Sequence, residues 1–166
     1  DATTTVYTDT VITGWDRKGN AIKETYTDPN DVTQAYAIGK AYDGGQFAEL
    51  NCQAYGALYQ DVLTVPGATL NWSLAHAGRD GTDTMALLIA PMDVAQDITD
   101  ALKNKTTRAA IQEALNGSIT VNGVNVPIRN YIVDGNISDG CTAWGVHNGT
   151  YTVPAGQYVS RIFFVA

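Results

Sequence analysis

The chain has 166 residues, 16 % of them charged, with 17 acidic against 10 basic side chains and a net charge of −7. That length fits one domain around a single core, and that charge repels a phosphate backbone, which excludes nucleic acid as an expected partner. No run of 18 apolar residues is present to insert into a membrane. The opening Asp1-Ala2-Thr3-Thr4-Thr5 has neither the basic start nor the apolar stretch of a signal peptide, so either a processed end or the cut edge of a longer chain is expected there.

Thr and aromatic residues suit a pleated, half-buried surface, and Gly, Asn and Asp suit its turns, so the composition predicts an all-β fold. In chain order, Val6-Tyr7-Thr8 and Val11-Ile12-Thr13 read as short strands, broken by the turn Arg17-Lys18-Gly19-Asn20. Strands follow over 46–51 and 57–65, the second closed by the turn Pro66-Gly67. Over 70–75, alternation puts Leu70, Trp72, Leu74 and His76 on one face and Asn71, Ser73 and Ala75 on the other. The continuous apolar run 85–90, ended by Pro91, predicts a strand in the sheet interior.

Between Asp93 and Leu115 the period changes. Val94, Ile98, Ala101 and Leu102, then Ala110, Ile111, Ala114 and Leu115, fall on one side of two short helices stopped at Asn116-Gly117. This helical insertion, near 93–116, is expected to pack on the β-fold and not to form a second domain. Asn122-Gly123 between 118–121 and 124–126 is a hairpin signal. The segment 149–165 reads strand, turn, strand, with a last strand apolar enough to be central or well covered. The expected architecture is a two-sheet antiparallel β-sandwich, jelly-roll-like, forming one binding module over 1–166.

Cys52 and Cys141 stand in no metal-ligand spacing. Two readings are open for them: one disulfide closing a long loop, worth ~3 to 5 kcal/mol, or two separate buried thiols.

The succession Gln46-Phe47-Ala48-Glu49-Leu50-Asn51, Leu58-Tyr59-Gln60-Asp61-Val62, Thr64-Val65-Pro66-Gly67 and Leu70-Asn71-Trp72-Ser73-Leu74 resembles the galactose-binding-like jelly-roll modules. With His76-Ala77-Gly78-Arg79-Asp80-Gly81-Thr82-Asp83-Thr84-Met85 it is similar to modules in large surface proteins of Gram-positive gut bacteria. The resemblance spans 43–90 and 149–166. It implies a jelly roll in an adhesin or carbohydrate-binding protein at the cell surface or secreted. The helical insertion, which simple sugar-binding jelly rolls lack, suggests a protein partner instead, in the form of a superantigen-like, immunoglobulin-binding adhesin domain.

Glycan modules stack an aromatic ring on the apolar face of a sugar. Trp15 and Trp144 sit in Gly-rich loops with no strand pattern to explain their burial, and Tyr42 and Tyr55 stand in similar settings, so these four are the candidate ligand-binding residues. The bland alternative is that each ring merely covers an end of the sandwich. Glu49, Asn51, Gln60, His76, Arg79 and Arg161 are polar residues set among apolar strands, which if buried must pair. They read as a structural network, with Glu49 joined to Arg79 or Arg161.

Asp80 and Asp83, and Asp28, Asn30 and Asp31, offer oxygens suited to calcium, although neither set matches a calcium loop and turns use the same residues. No other cofactor is expected. Five Asn-x-Ser/Thr triplets, at Asn71, Asn104, Asn116, Asn136 and Asn148, would be glycan acceptors in a secreted eukaryotic protein. With three Glu, two scattered His and no phosphate loop, nucleophile elbow or zinc helix, the chain is read as non-catalytic. The expectation is a monomeric extracellular module that binds a glycan or, as the alternative, a host protein.

Overall fold

The computed structural model describes residues 57–79 and 81–166, together with Tyr42, Asp43, Phe47 and Leu50. The strands expected at 6–8 and 11–13, the turn at 17–20, the possible ligands Asp28, Asn30 and Asp31, and all of 46–51 but Phe47 and Leu50 lie outside the described residues. Among these there are eight strands and two helices: β1 (Ala57–Leu63), β2 (Thr69–His76), β3 (Asp83–Pro91), α1 (Met92–Leu102), α2 (Arg108–Asn116), β4 (Ser118–Val121), β5 (Val124–Pro127), β6 (Ile132–Asp139), β7 (Gly145–Thr152) and β8 (Val159–Val165). The fold is mostly β, with antiparallel sheets of four, two and two strands, none closed into a barrel.

The four-stranded sheet runs β1-β8-β3-β6, so the two most apolar segments, β3 and β8, take its interior as their composition requires. Alternation then gives that sheet two faces. Ala86, Leu88, Ala90, Phe163 and Val165 point to one of them and pack with Val94, Ile98 and Leu102 of α1, Ile111 of α2 and Ile119 of β4. Met85, Leu87 and Ile137 point to the other and meet Trp72 and Leu74 of β2, with Ile162 and Phe164 beside them. Phe163, Leu88 and Ile98 are fully enclosed, and each contributes about 1.5–3 kcal/mol by leaving water.

The β2–β7 ribbon therefore covers one face, while the helices and the β4–β5 hairpin cover the other. The hairpin follows α2 after Gly117 alone, and so stays on the helical side. Strand pairing is nested: β1 with β8, β2 with β7, β3 with β6, β4 with β5, each pair enclosed in sequence by the one before it.

Local chemistry sets the ends of these elements. Pro91 closes β3 and, at φ −69°, caps α1. Thr107 caps α2 by accepting from the Ala110 N–H at 3.1 Å. Asn122 and Gly123, at φ 50° and 80°, form the primed turn of the β4–β5 hairpin. Gly67, at φ 81°, takes the third position of the turn in which Ala68 N–H donates to Val65 O at 3.0 Å. That end of the fold is tied by a buried network: the Thr64 hydroxyl donates to Gln157 O at 2.9 Å, Gln157 Nε2 donates to Ser160 Oγ at 2.6 Å, and Tyr151 Oη donates to Gln157 Oε1 at 3.1 Å.

Arg161 is buried on the helical face and carries a charge there. Its Nε and Nη2 donate to the two carboxylate oxygens of Asp61, its cross-strand neighbour, at 2.6 and 2.8 Å. Nη1 donates to Thr99 Oγ1 at 3.0 Å, and the guanidinium carbon lies 3.9 Å from the centre of the Tyr59 ring. The Asp61 hydrogen bonds, outweighing burial, raise the guanidinium pKa further, so it stays charged. The carboxylate expected for Arg161 was Glu49, which lies outside the described residues; the one it meets is Asp61. The reason is register, since β1 and β8 pair so that 61 stands opposite 161.

Candidate functional site

At one end of the fold β2 and β6 finish and β3 and β7 begin, and the connecting loops 77–82 and 140–144 lie side by side, with Gly78 N–H donating to Gly140 O at 3.0 Å. Trp144 stands in the second loop. The rings of Tyr42 and Phe47 approach it edge-on, with centroids at 6.5 and 5.6 Å and planes at 66° and 71°. Edge-to-face contacts at such distances are favourable for aromatic quadrupoles. Tyr42 is 59 % exposed, and Trp144 and Phe47 are half-buried, so the cluster presents one open ring backed by two partly covered ones.

Of the four rings expected to bind a ligand, Tyr42 and Trp144 are thus brought together from opposite parts of the chain. Trp15 and Tyr55 lie outside the described residues. Phe47, which sequence reasoning assigned to a strand, joins the cluster, and its only signal was position beside the Gly-rich stretch after Tyr42.

Beneath this end lies a polar trio. Asp139, the last residue of β6, receives on its Oδ2 a hydrogen bond from His76 Nδ1 and another from His147 Nε2, each at 2.8 Å. An ionised carboxylate oxygen only accepts, so both ring nitrogens facing it carry hydrogen. The three side chains are 15, 10 and 24 % exposed for Asp139, His76 and His147. Burial pushes the Asp139 carboxyl up, but the hydrogen bonds and charge of the two imidazoles outweigh it and hold the carboxyl below the usual carboxylate range.

A carboxyl whose pKa is lowered by folding stabilises the fold above the unfolded pKa, and that contribution is lost as pH falls through the folded value. The stability advantage of the native protein over Asp139→Asn, measured by urea unfolding, is therefore expected to be full above about pH 4 and to shrink below it. A difference that stays constant from pH 6 to pH 3 would contradict this account of the trio.

His76, expected in a structural network with Glu49, Asn51, Arg79 and Arg161, is paired here with Asp139, which also accepts from His147. Asp139 was not singled out from sequence, because nothing local marks a strand-ending Asp as the acceptor for residues 63 positions before it and eight after. Arg79 is exposed in the loop between β2 and β3, where its backbone N–H donates to Asp83 Oδ2 at 2.9 Å, and Glu49, the carboxylate expected for it, lies outside the described residues. Asp83 is therefore engaged in a turn bond of the kind short polar side chains make, and among the described residues no group of three or more His, Cys, Asp or Glu side chains is arranged to hold a metal ion, the two imidazoles of the trio being spent on Asp139 itself. Asp80, Glu49, Asn51 and Cys52 lie outside the described residues. Cys141 is half-buried in the loop that carries Trp144.

No described helix is long and apolar enough to cross a membrane. Compared with family models, curated proteins and solved structures, the chain matches none.

Proposed function

We propose that the chain is an extracellular, non-catalytic binding module, a jelly-roll-like sandwich that recognises a glycan at the end carrying Trp144 and Tyr42. The observation that carries this reading is the meeting of those two rings, distant in sequence, at a loop end where Tyr42 is open to solvent. A sugar offers an apolar face to such a ring and hydroxyls to the polar groups of the loops around it. Binding sites concentrate on loops held by a rigid scaffold, and the nested strand pairs, which are the pattern of a ribbon wound into a jelly roll, supply that scaffold.

A glycan array run beside a pull-down from host secretions tests the reading. Retention of sugars, weakened about tenfold or more in Trp144→Ala (roughly 1.4 kcal/mol of binding), is the expected result. Sugar signals indifferent to Trp144→Ala would overturn it. An empty array with a retained host protein such as an immunoglobulin would replace it with a protein-binding module.

A further inference from the structure

Asp139 belongs to the four-stranded sheet, and both of its imidazole donors belong to the β2–β7 ribbon, so the two hydrogen bonds at 2.8 Å join the layers directly under the aromatic end. The loop carrying Trp144 leaves the fold at Asp139 and returns at Gly145. Those two positions are so close that a Cβ on Gly145 would stand 1.7 Å from Asp139 Oδ1. On the other side, a Cβ on Gly78 would lie 3.0 Å from the Asp139 carbonyl oxygen and 2.0 Å from that of Gly81. Asp83 stands opposite Asp139 in the β3–β6 ladder with its own carboxylate on the Arg79 backbone N–H.

We propose that Asp139, clasped by His76 and His147, is a positioning residue that fixes both ends of the 140–144 loop and so sets where the Trp144 ring stands. The proposal rests on the reading of Trp144 as the ligand-facing ring. Its physical content is preorganisation: a carboxylate largely withdrawn from water, 15 % exposed, depends on its donors, the donors sit on rigid strands, and a ring held in place loses less freedom when a ligand arrives.

Donor geometry provides a discriminating test, because a Gln amide nitrogen takes about the place of a histidine Nε2 and an Asn amide nitrogen that of Nδ1. His147→Gln and His76→Asn therefore keep an N–H facing Asp139, whereas His147→Ala and Asp139→Ala remove one side of the clasp. The readout is the Trp144 indole N–H resonance in a 1H–15N spectrum of the full chain, identified by its loss in Trp144→Phe. It is expected to hold its position in His147→Gln and His76→Asn and to move towards the free-indole position in the two Ala variants, with the amides of Leu88, Ile98 and Phe163 unmoved.

An indole resonance that ignores the Ala variants would overturn the proposal, as would one that moves equally in His147→Gln and His147→Ala. Collapse of the whole spectrum in both Ala variants would overturn it too, since the trio would then hold the fold and not the loop. The readout needs no ligand: the expected pattern in a chain that retains no sugar supports the clasp and removes only the reading beneath it.

Discussion

Asp61→Ala is expected to destabilise the protein by about 3 kcal/mol, the lower end of the ~3–5 kcal/mol lost when one partner of a buried ion pair is removed. Arg161 is 7 % exposed, so without the Asp61 carboxylate its charge faces, among the described residues, only Thr99 Oγ1 and the Tyr59 ring. The lower end applies because the Asp61 side chain is itself one-third exposed, at 33 %, and part of its charge is already screened by water. The reverse change is milder. Arg161→Met leaves Asp61 reachable by water, at the loss of the cation–π contact and three hydrogen bonds, and the double variant removes both charges together. Urea unfolding should therefore rank Asp61→Ala as the most damaging of the three, with the double variant close to Arg161→Met. A double variant as unstable as the sum of the singles would mean that the pair is not coupled.

Gly149→Ala should cost about 2–3 kcal/mol, at the upper end for overpacking. Gly149 is the cross-strand partner of Trp72, and the indole lies flat across it: an added Cβ would meet Trp72 Cζ2 at 2.7 Å and Cε2 at 2.9 Å. The ring cannot swing away cheaply, because it packs against Met85, Leu87 and Ile137 between the β2–β7 ribbon and the central sheet. Its Nε1 is buried and has no hydrogen-bond partner among the described residues, so its position is set by packing alone. Gly67→Ala is the informative contrast, since a Cβ there meets nothing within 4 Å and any loss reflects its φ of 81°. A Gly149→Ala protein as stable as the native one would show that the ribbon is looser than its packing implies.

What could be read from sequence follows from which forces are local. The run 85–90 and the closing strand identify themselves because burial on both faces demands unbroken apolar residues. The β4–β5 hairpin declares itself because only residues such as Asn122 and Gly123 accept positive φ. The period of α1 and α2 survives because one helical face suffices for the core. β6 did not declare itself. Its sequence Ile132-Val133-Asp134-Gly135-Asn136-Ile137 looks like a turn, and the strand accommodates it with register shifts against β3 and with Asp134 accepting from the Asn136 N–H at 3.0 Å.

The site divides in the same way. Gly-rich surroundings pointed to Trp144 and Tyr42, because a large ring there has no alternation to bury it. The partners of His76 and Arg161 stayed hidden, because Asp139 and Asp61 reach them only through strand order, which alternation does not encode. The expectation of two simple facing sheets met the same limit: nothing in the hairpin itself says that it follows the helices to their side of the central sheet.

Chemical-shift mapping with the glycan most strongly retained on the array tests the central claim most directly. The account predicts that the largest changes fall on Tyr42, Phe47 and residues 140–144, with the far end, where Leu63, Val65 and Tyr158 are 88, 68 and 68 % exposed, left unmoved. Changes concentrated at that far end, or along the outer faces of α1 and α2, would contradict it.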